Sequence, residues 1–162
     1  MLTDAKKKEL LVFYTIVQTN KCSLRELSQV LSIPKRTIKE IIRKLNGTIF
    51  QQLSIPRFIY STAKGELKLD SQHKDEKMAI FHYIKLFFLR ESNRFNFLLL
   101  LFDSPHSRVS KKILLEKLYI SPSYLEKLTN QLNKSLKKFH LQIISRQNCY
   151  ILKGDELSIR IY

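Results

Sequence analysis

Five residues in a nine-residue stretch, Lys35, Arg36, Thr37, Lys39 and Arg43, offer cations and a hydroxyl along a single helical segment. Ammonium and guanidinium groups pair with phosphate oxygens. Guanidinium and hydroxyl groups also hydrogen-bond to base edges. The chemistry these residue types can do is therefore recognition of double-stranded DNA rather than the making or breaking of bonds. Arg57 and Lys64 follow as candidate backbone contacts, with Lys68 beside them. A second set comes later: Ser121, Ser123, Tyr124, Lys127, Asn130 and Lys134, with Gln131 among them, and then Arg146. It is less cationic and richer in amides, and it fits either base reading or support of the complex.

Catalytic chemistry finds little to stand on. With 3 glycines, neither a P-loop nor G-x-G-x-x-G can be written. His73, His82, His106 and His140 are scattered, with no second histidine at metal-ligand spacing. No serine or cysteine sits in a nucleophile-elbow pattern. Cys22 and Cys149 form no C-x-x-C and suit small apolar core positions in a reducing cytoplasm. No enzyme activity, metal or cofactor is expected.

The cations need a helix to carry them, and Cys22–Leu45 supplies it. Ser23 with Glu26 three residues on is a capping box, so a helix opens there. Leu24, Leu27 and Leu31 share one face, and Ser32-Ile33 makes a turn. A second helix starts near Pro34, with Ile38, Ile41, Ile42 and Leu45 as its apolar face. The cations lie on the other side. Two helices meeting at a tight turn are a helix-turn-helix, whose second helix enters the major groove. The plainer alternative is a helical hairpin with a solvated charged face. Lys6–Thr19 should form a preceding helix, and Asn46-Gly47 should stop the second helix. Arg57–Tyr60 and Glu66–Leu69 should then pair as a wing, or as a hairpin that only closes the core.

Lys77–Arg90 and Phe95–Phe102 read as apolar helices, with Ser71–Asp75 a polar hinge or helix start and a loop around Pro105. Then the opening pattern recurs. At an offset of 87, Leu27, Leu31, Ile33, Ile38, Ile41, Leu45 and Asn46 fall on Leu114, Leu118, Ile120, Leu125, Leu128, Leu132 and Asn133. Ser110 and Ser121 can cap the two helices. Leu141–Arg146 and Tyr150–Leu152 make a second wing. The expected fold is mainly α with small β-hairpin wings: two winged helix-turn-helix domains joined by a helical linker. The expected boundaries are 1–70 for the first domain, 71–105 for the linker and leading helices, and 106–162 for the second domain and the start of the next.

Charge supports a polyanion partner. The 162 residues carry a formal +15. Residues 1–70 hold 13 Lys/Arg against 6 Asp/Glu, and residues 71–162 hold 16 against 8. The excess is thus shared, not confined to a tail. A membrane surface is the weaker fit, because no long basic amphipathic helix with Trp anchors is present. The apolar run Phe95–Phe102 is too short to span a bilayer, and the N-terminus lacks the apolar region of a signal peptide. The expected place is the cytoplasm, at the nucleoid.

The stretch S-P-S-Y-L-E-K-L-T-N-Q-L-N-K-S-L-K-K-F-H-L-Q-I (Ser121–Ile143), followed by K-G-D-E-L-S-I-R (Lys153–Arg160), resembles the Mga/AtxA-type transcriptional regulators of Gram-positive bacteria. In that family a Leu-Asn-bearing helix runs into a second wing, and a G-D-E-x-x-I-R element enters the next domain. The first half resembles the wider helix-turn-helix class. The resemblance implies two winged helices that bind promoter DNA and regulate transcription of virulence or sugar-linked genes. Members are longer, with phosphotransferase-regulation domains and a dimerising domain. The resemblance therefore implies an N-terminal DNA-binding fragment, with any homodimer formed through domains absent from this chain, and no regulatory histidine carries over. Two rivals stand beside it: a plasmid-type replication initiator with paired winged helices, and a winged-helix protein-interaction module. The charged first recognition face argues against the latter, since interface cores are depleted of charge.

Overall fold

The computed structural model describes residues 2–19 and 21–154. The described chain divides into two compact units, one running to Phe88 and the other starting at Leu89. Each has the same plan: a leading helix, a short strand, two helices joined by a tight turn, and a hairpin that completes a three-stranded antiparallel sheet.

In the first unit α1 spans Asp4–Gln18. It starts before Lys6 because the Thr3 hydroxyl accepts the Lys6 N–H at 3.3 Å and so caps the helix. Strand β1 is only Cys22–Ser23, and α2 follows over Leu24–Leu31. The capping box forms: Ser23 Oγ accepts the Glu26 N–H at 3.1 Å, and the Ser23 N–H donates to the Glu26 carboxylate at 3.4 Å. Ser32 takes a left-handed conformation, and the Ile33 N–H reaches back to the Ser28 carbonyl. This turns the chain sharply. Helix α3 covers Lys35–Leu53 and does not stop at Asn46-Gly47. The apolar stripe Ile38, Ile41, Leu45 continues one step to Ile49, which is fully buried. Packing along that stripe outweighs the glycine, which costs only about 1 kcal/mol in a helix.

Strands β2 (Ile59–Ser61) and β3 (Glu66–Leu69) form the wing, and β1 pairs on the other side of β3. The first wing strand begins later than Arg57, because Arg57 sits in a turn at φ 48° and Phe58 plunges into the core. Helix α4, Lys77–Arg90, buries Ile80, Phe81, Ile84 and Phe88. Phe81 meets Phe13 edge-on at 5.4 Å, and Phe13 meets Phe58 at 6.3 Å, a favourable arrangement of ring quadrupoles.

The second unit opens with α5, Asn93–Asp103, whose Phe97, Leu98 and Leu101 enter its core. The 71–105 stretch thus holds a core helix of each unit, with the division inside it at Phe88–Leu89. Next come β4 (Arg108–Ser110), α6 (Lys111–Leu118) and α7 (Pro122–Leu136). A 3₁₀ turn follows at Lys137–Phe139, then β5 (Gln142–Arg146) and β6 (Cys149–Lys153). The sheet order is β4-β6-β5. Gly154 leaves the sheet where a Cβ would collide with Leu141 Cδ2 and press on the His140 carbonyl, so a side chain there would have to displace buried Leu141. The remainder of the G-D-E-x-x-I-R element, from Asp155 to Arg160, lies outside the described residues.

The offset of 87 carries through the backbone. It maps α2 onto α6 end to end, and the first residue of α3 onto the first of α7. It also maps left-handed Ser32 (φ 53°) onto left-handed Tyr119 (φ 54°). The Ile33-to-Ser28 hydrogen bond recurs as Ile120 to Leu115. Both hairpin turns hold the first amide of the helix pair: Leu24 N–H donates to the Gly65 carbonyl, and Lys111 N–H to the Asn148 carbonyl.

Candidate nucleic-acid interface

Helix α3 carries its cations on the side away from the core. Ile38 and Leu45 are fully buried, and Lys35, Arg36, Lys39 and Arg43 are exposed. Thr37 is less open than these cations. It is half-buried and, with Arg36, Glu40 and Lys44, lines a groove of about 570 Å³ whose other side is Lys8 and Glu9 of α1. Arg43 is already engaged. Its guanidinium donates to both carboxylate oxygens of Glu40, at 2.5 and 3.3 Å. That hydrogen bond, and the charge behind it, hold the Glu40 carboxyl below its usual range and push the Arg43 guanidinium up. A negative group therefore sits in the middle of the cationic face. Its i,i+3 spacing from Arg43 was legible in the sequence.

The wing supplies the flanking cations. Lys64 is exposed in the hairpin turn, next to Gly65, whose φ of 83° the turn requires. Arg57 is exposed in the turn leading into β2.

One residue that fixes this geometry is not cationic at all. Asn46 Nδ2–H donates to the Ile59 carbonyl at 2.8 Å, and its Oδ1 accepts the Ile59 N–H at 3.0 Å. Asn133 does the same for Ile143, at 3.0 and 2.7 Å. Each recognition helix thus clamps the first strand of its wing through one amide side chain. The signal available in the sequence was the repetition of asparagine at the offset of 87. Replacing either asparagine by alanine leaves the backbone N–H and C=O of a buried residue, Ile59 or Ile143, without partners. Each change should destabilise its own unit by about 1–3 kcal/mol, read as a lower urea midpoint. An unchanged midpoint would mean that water replaces the clamp.

In the second unit, α7 buries Leu125, Leu128, Leu132 and Leu136. Ser123, Tyr124, Lys127, Asn130 and Lys134 are exposed. Ser121 acts as the helix cap, accepting the Tyr124 N–H at 3.2 Å, with the Ser123 hydroxyl 3.2 Å away. Gln131 is half-buried and accepts from Arg94 of α5 at 2.9 Å, which takes it off the open face. Arg146 is exposed at the end of β5, where Gln147 and Asn148 both take positive φ in a two-residue turn.

Cys22 is buried, which pushes its thiol pKa up and makes it a poor nucleophile. Cys149 is half-buried, and both are free thiols. Among the described residues, no three or more His, Cys, Asp or Glu side chains gather as a metal site, and no helix is long and apolar enough to cross a membrane.

Residues 79–162 match the family model described as the Mga helix-turn-helix domain. The match covers the second unit and most of α4, and it begins after the first helix-turn-helix. No curated protein matches the chain.

Proposed function

Because the chain belongs to the Mga helix-turn-helix family, we propose that it binds double-stranded DNA through two recognition helices and thereby regulates transcription. The observation that carries this reading is the outer face of α3, where Lys35, Arg36 and Lys39 stand exposed opposite a fully buried apolar stripe. A helix of this kind lies in the major groove with its first turns nearest the bases. Arg36 and Lys39 then reach base edges or nearby phosphates. Arg57 and Lys64 reach the backbone alongside from the wing, and Asn46 keeps wing and helix in register. In the second unit, Ser123, Tyr124, Lys127 and Asn130 take the equivalent place, with Arg146 on the wing.

Selection of bound sequences from random duplex DNA tests binding and reports the site length. The selected duplex should then show a steep salt response. If roughly 5 to 8 phosphates are neutralised, log affinity falls against log salt with a slope of roughly −5 to −7. A nearly flat response would remove the electrostatic basis of the proposal.

A further inference from the structure

We propose that the second unit grips the DNA backbone through a groove at the C-terminal end of its recognition helix, with Lys134 and Lys137 as the phosphate-binding cations. The inference rests on the reading that the chain binds duplex DNA, and it goes further by giving the two units different contacts.

The first support is where the charge lies on the two helices. At the offset of 87, Arg36 becomes Ser123, Lys39 becomes Glu126 and Arg43 becomes Asn130. The cations that crowd the first turns of α3 are therefore reduced to Lys127 alone, at the position of Glu40, in the first turns of α7. They reappear at the other end, where Lys134 replaces Gly47 and Lys137 follows one turn on.

The second support is what surrounds them. Lys134 and Lys137 line a groove of about 500 Å³ together with Asn130, His140 and Gln142, between the end of α7 and the start of β5. All five side chains belong to exposed residues. Lysine ammonium groups and amide N–H groups are donors, and their convergence on one open groove suits a polyanionic strand. The walls are held in place. Asn133 ties β5 to α7, the Leu141 N–H donates to the Leu136 carbonyl, and the His140 N–H donates to the Lys137 carbonyl. A groove already ordered before binding loses little freedom when a backbone enters it. The competing account is that these lysines only offset the negative end of the helix dipole. That account explains neither the shared groove nor the amides in it, and it predicts a stability effect in place of a binding one.

The test uses the 162-residue chain and three unrelated random-sequence duplexes, with affinity measured by fluorescence anisotropy across salt. Lys134→Ala/Lys137→Ala should flatten the log–log salt slope by about 2, since each lost phosphate contact removes about 0.9. The loss should be the same on all three duplexes, and Lys134→Arg/Lys137→Arg should keep the wild-type slope. The melting temperature should stay within about two degrees of wild type. A wild-type slope in the alanine variant overturns the inference while leaving DNA binding intact. So does a loss confined to one duplex, or a loss that tracks a fall in melting temperature. A wild-type chain that binds no duplex at any salt overturns the DNA reading itself, and the groove assignment with it.

Discussion

Replacing Arg36 and Lys39 together by alanine should lower DNA affinity about 30- to 1,000-fold and leave the melting temperature nearly unchanged. Hydrogen bonds to charged groups contribute roughly 1.5–3 kcal/mol each, and losses at neighbouring sites add imperfectly. A combined loss of about 2–4 kcal/mol is therefore reasonable, at about 1.4 kcal/mol per tenfold. Both residues are exposed, and fully buried Ile38 lies between them in sequence. Their removal opens no cavity, so stability should hold. The measurement is titration of the selected duplex, with thermal melts of both proteins. A fall in stability comparable to the fall in affinity would mean that the face has been misassigned. Arg43 should behave differently, because it already donates to Glu40 through two nitrogens. Arg43→Ala alone should lose less affinity than either of the other two. The Glu40 carboxyl, held below its usual range, stays ionised at neutral pH and keeps its hold on Arg43.

The contrast between these arginines marks what a sequence can and cannot convey. Periodicity places a side chain on a face, so Leu27, Ile38, Ile41 and Leu45 were legible as core, and Lys35, Arg36 and Lys39 as outward. It does not say what a side chain meets on that face. The place of Thr37 in the groove beside α1 and the capture of Gln131 by Arg94 are contacts that spacing does not convey, and the i,i+3 spacing of Glu40 and Arg43 allowed their pair without fixing it. Likewise, Ile80 and Phe81 announced a buried helix without announcing which core it would join. Strands β1 and β4, two and three residues long, are too short to show alternation. They form because the chain entering each helix cap runs beside a wing strand that has backbone groups to satisfy. Asn46-Gly47 misled for a physical reason. Asparagine and glycine end helices when the apolar stripe also ends, and here the stripe runs on to Ile49 while Asn46 is turned to the wing. The repeat, by contrast, was legible at its core positions from Leu27 to Leu45. The offset of 87 holds along the recognition helices as far as Ile49 and Leu136, both fully buried, and is lost beyond them, where α7 ends and α3 runs on to Leu53.

Severing the two units should have the other large effect. The intact chain should bind an extended site about 10²- to 10⁴-fold more tightly than either half, because joining two binding modules makes the second contact intramolecular. The place of the cut matters. A break near Ser71 would take α4 from the first unit, remove Phe81 from Phe13 and expose Ile80, Ile84 and Phe88. Such a fragment could fail by unfolding and say nothing about DNA. Fragments 1–90 and 91–162 instead keep α4 with the first core and leave Ser92 to cap α5. Each should first be shown to unfold cooperatively, and then footprinted beside the intact chain on one selected duplex. The gain should appear as slower dissociation and as a protected tract longer than either fragment covers. It should vanish on a duplex that retains only the half bound by residues 1–90. If that fragment alone protects the full tract with the affinity of the whole chain, the second unit makes no contribution on DNA. Its exposed serines, amides and lysines on α7 would then belong to a different partner, on a scaffold that kept the clamp of Asn133 and the wing without the function they serve in the first unit.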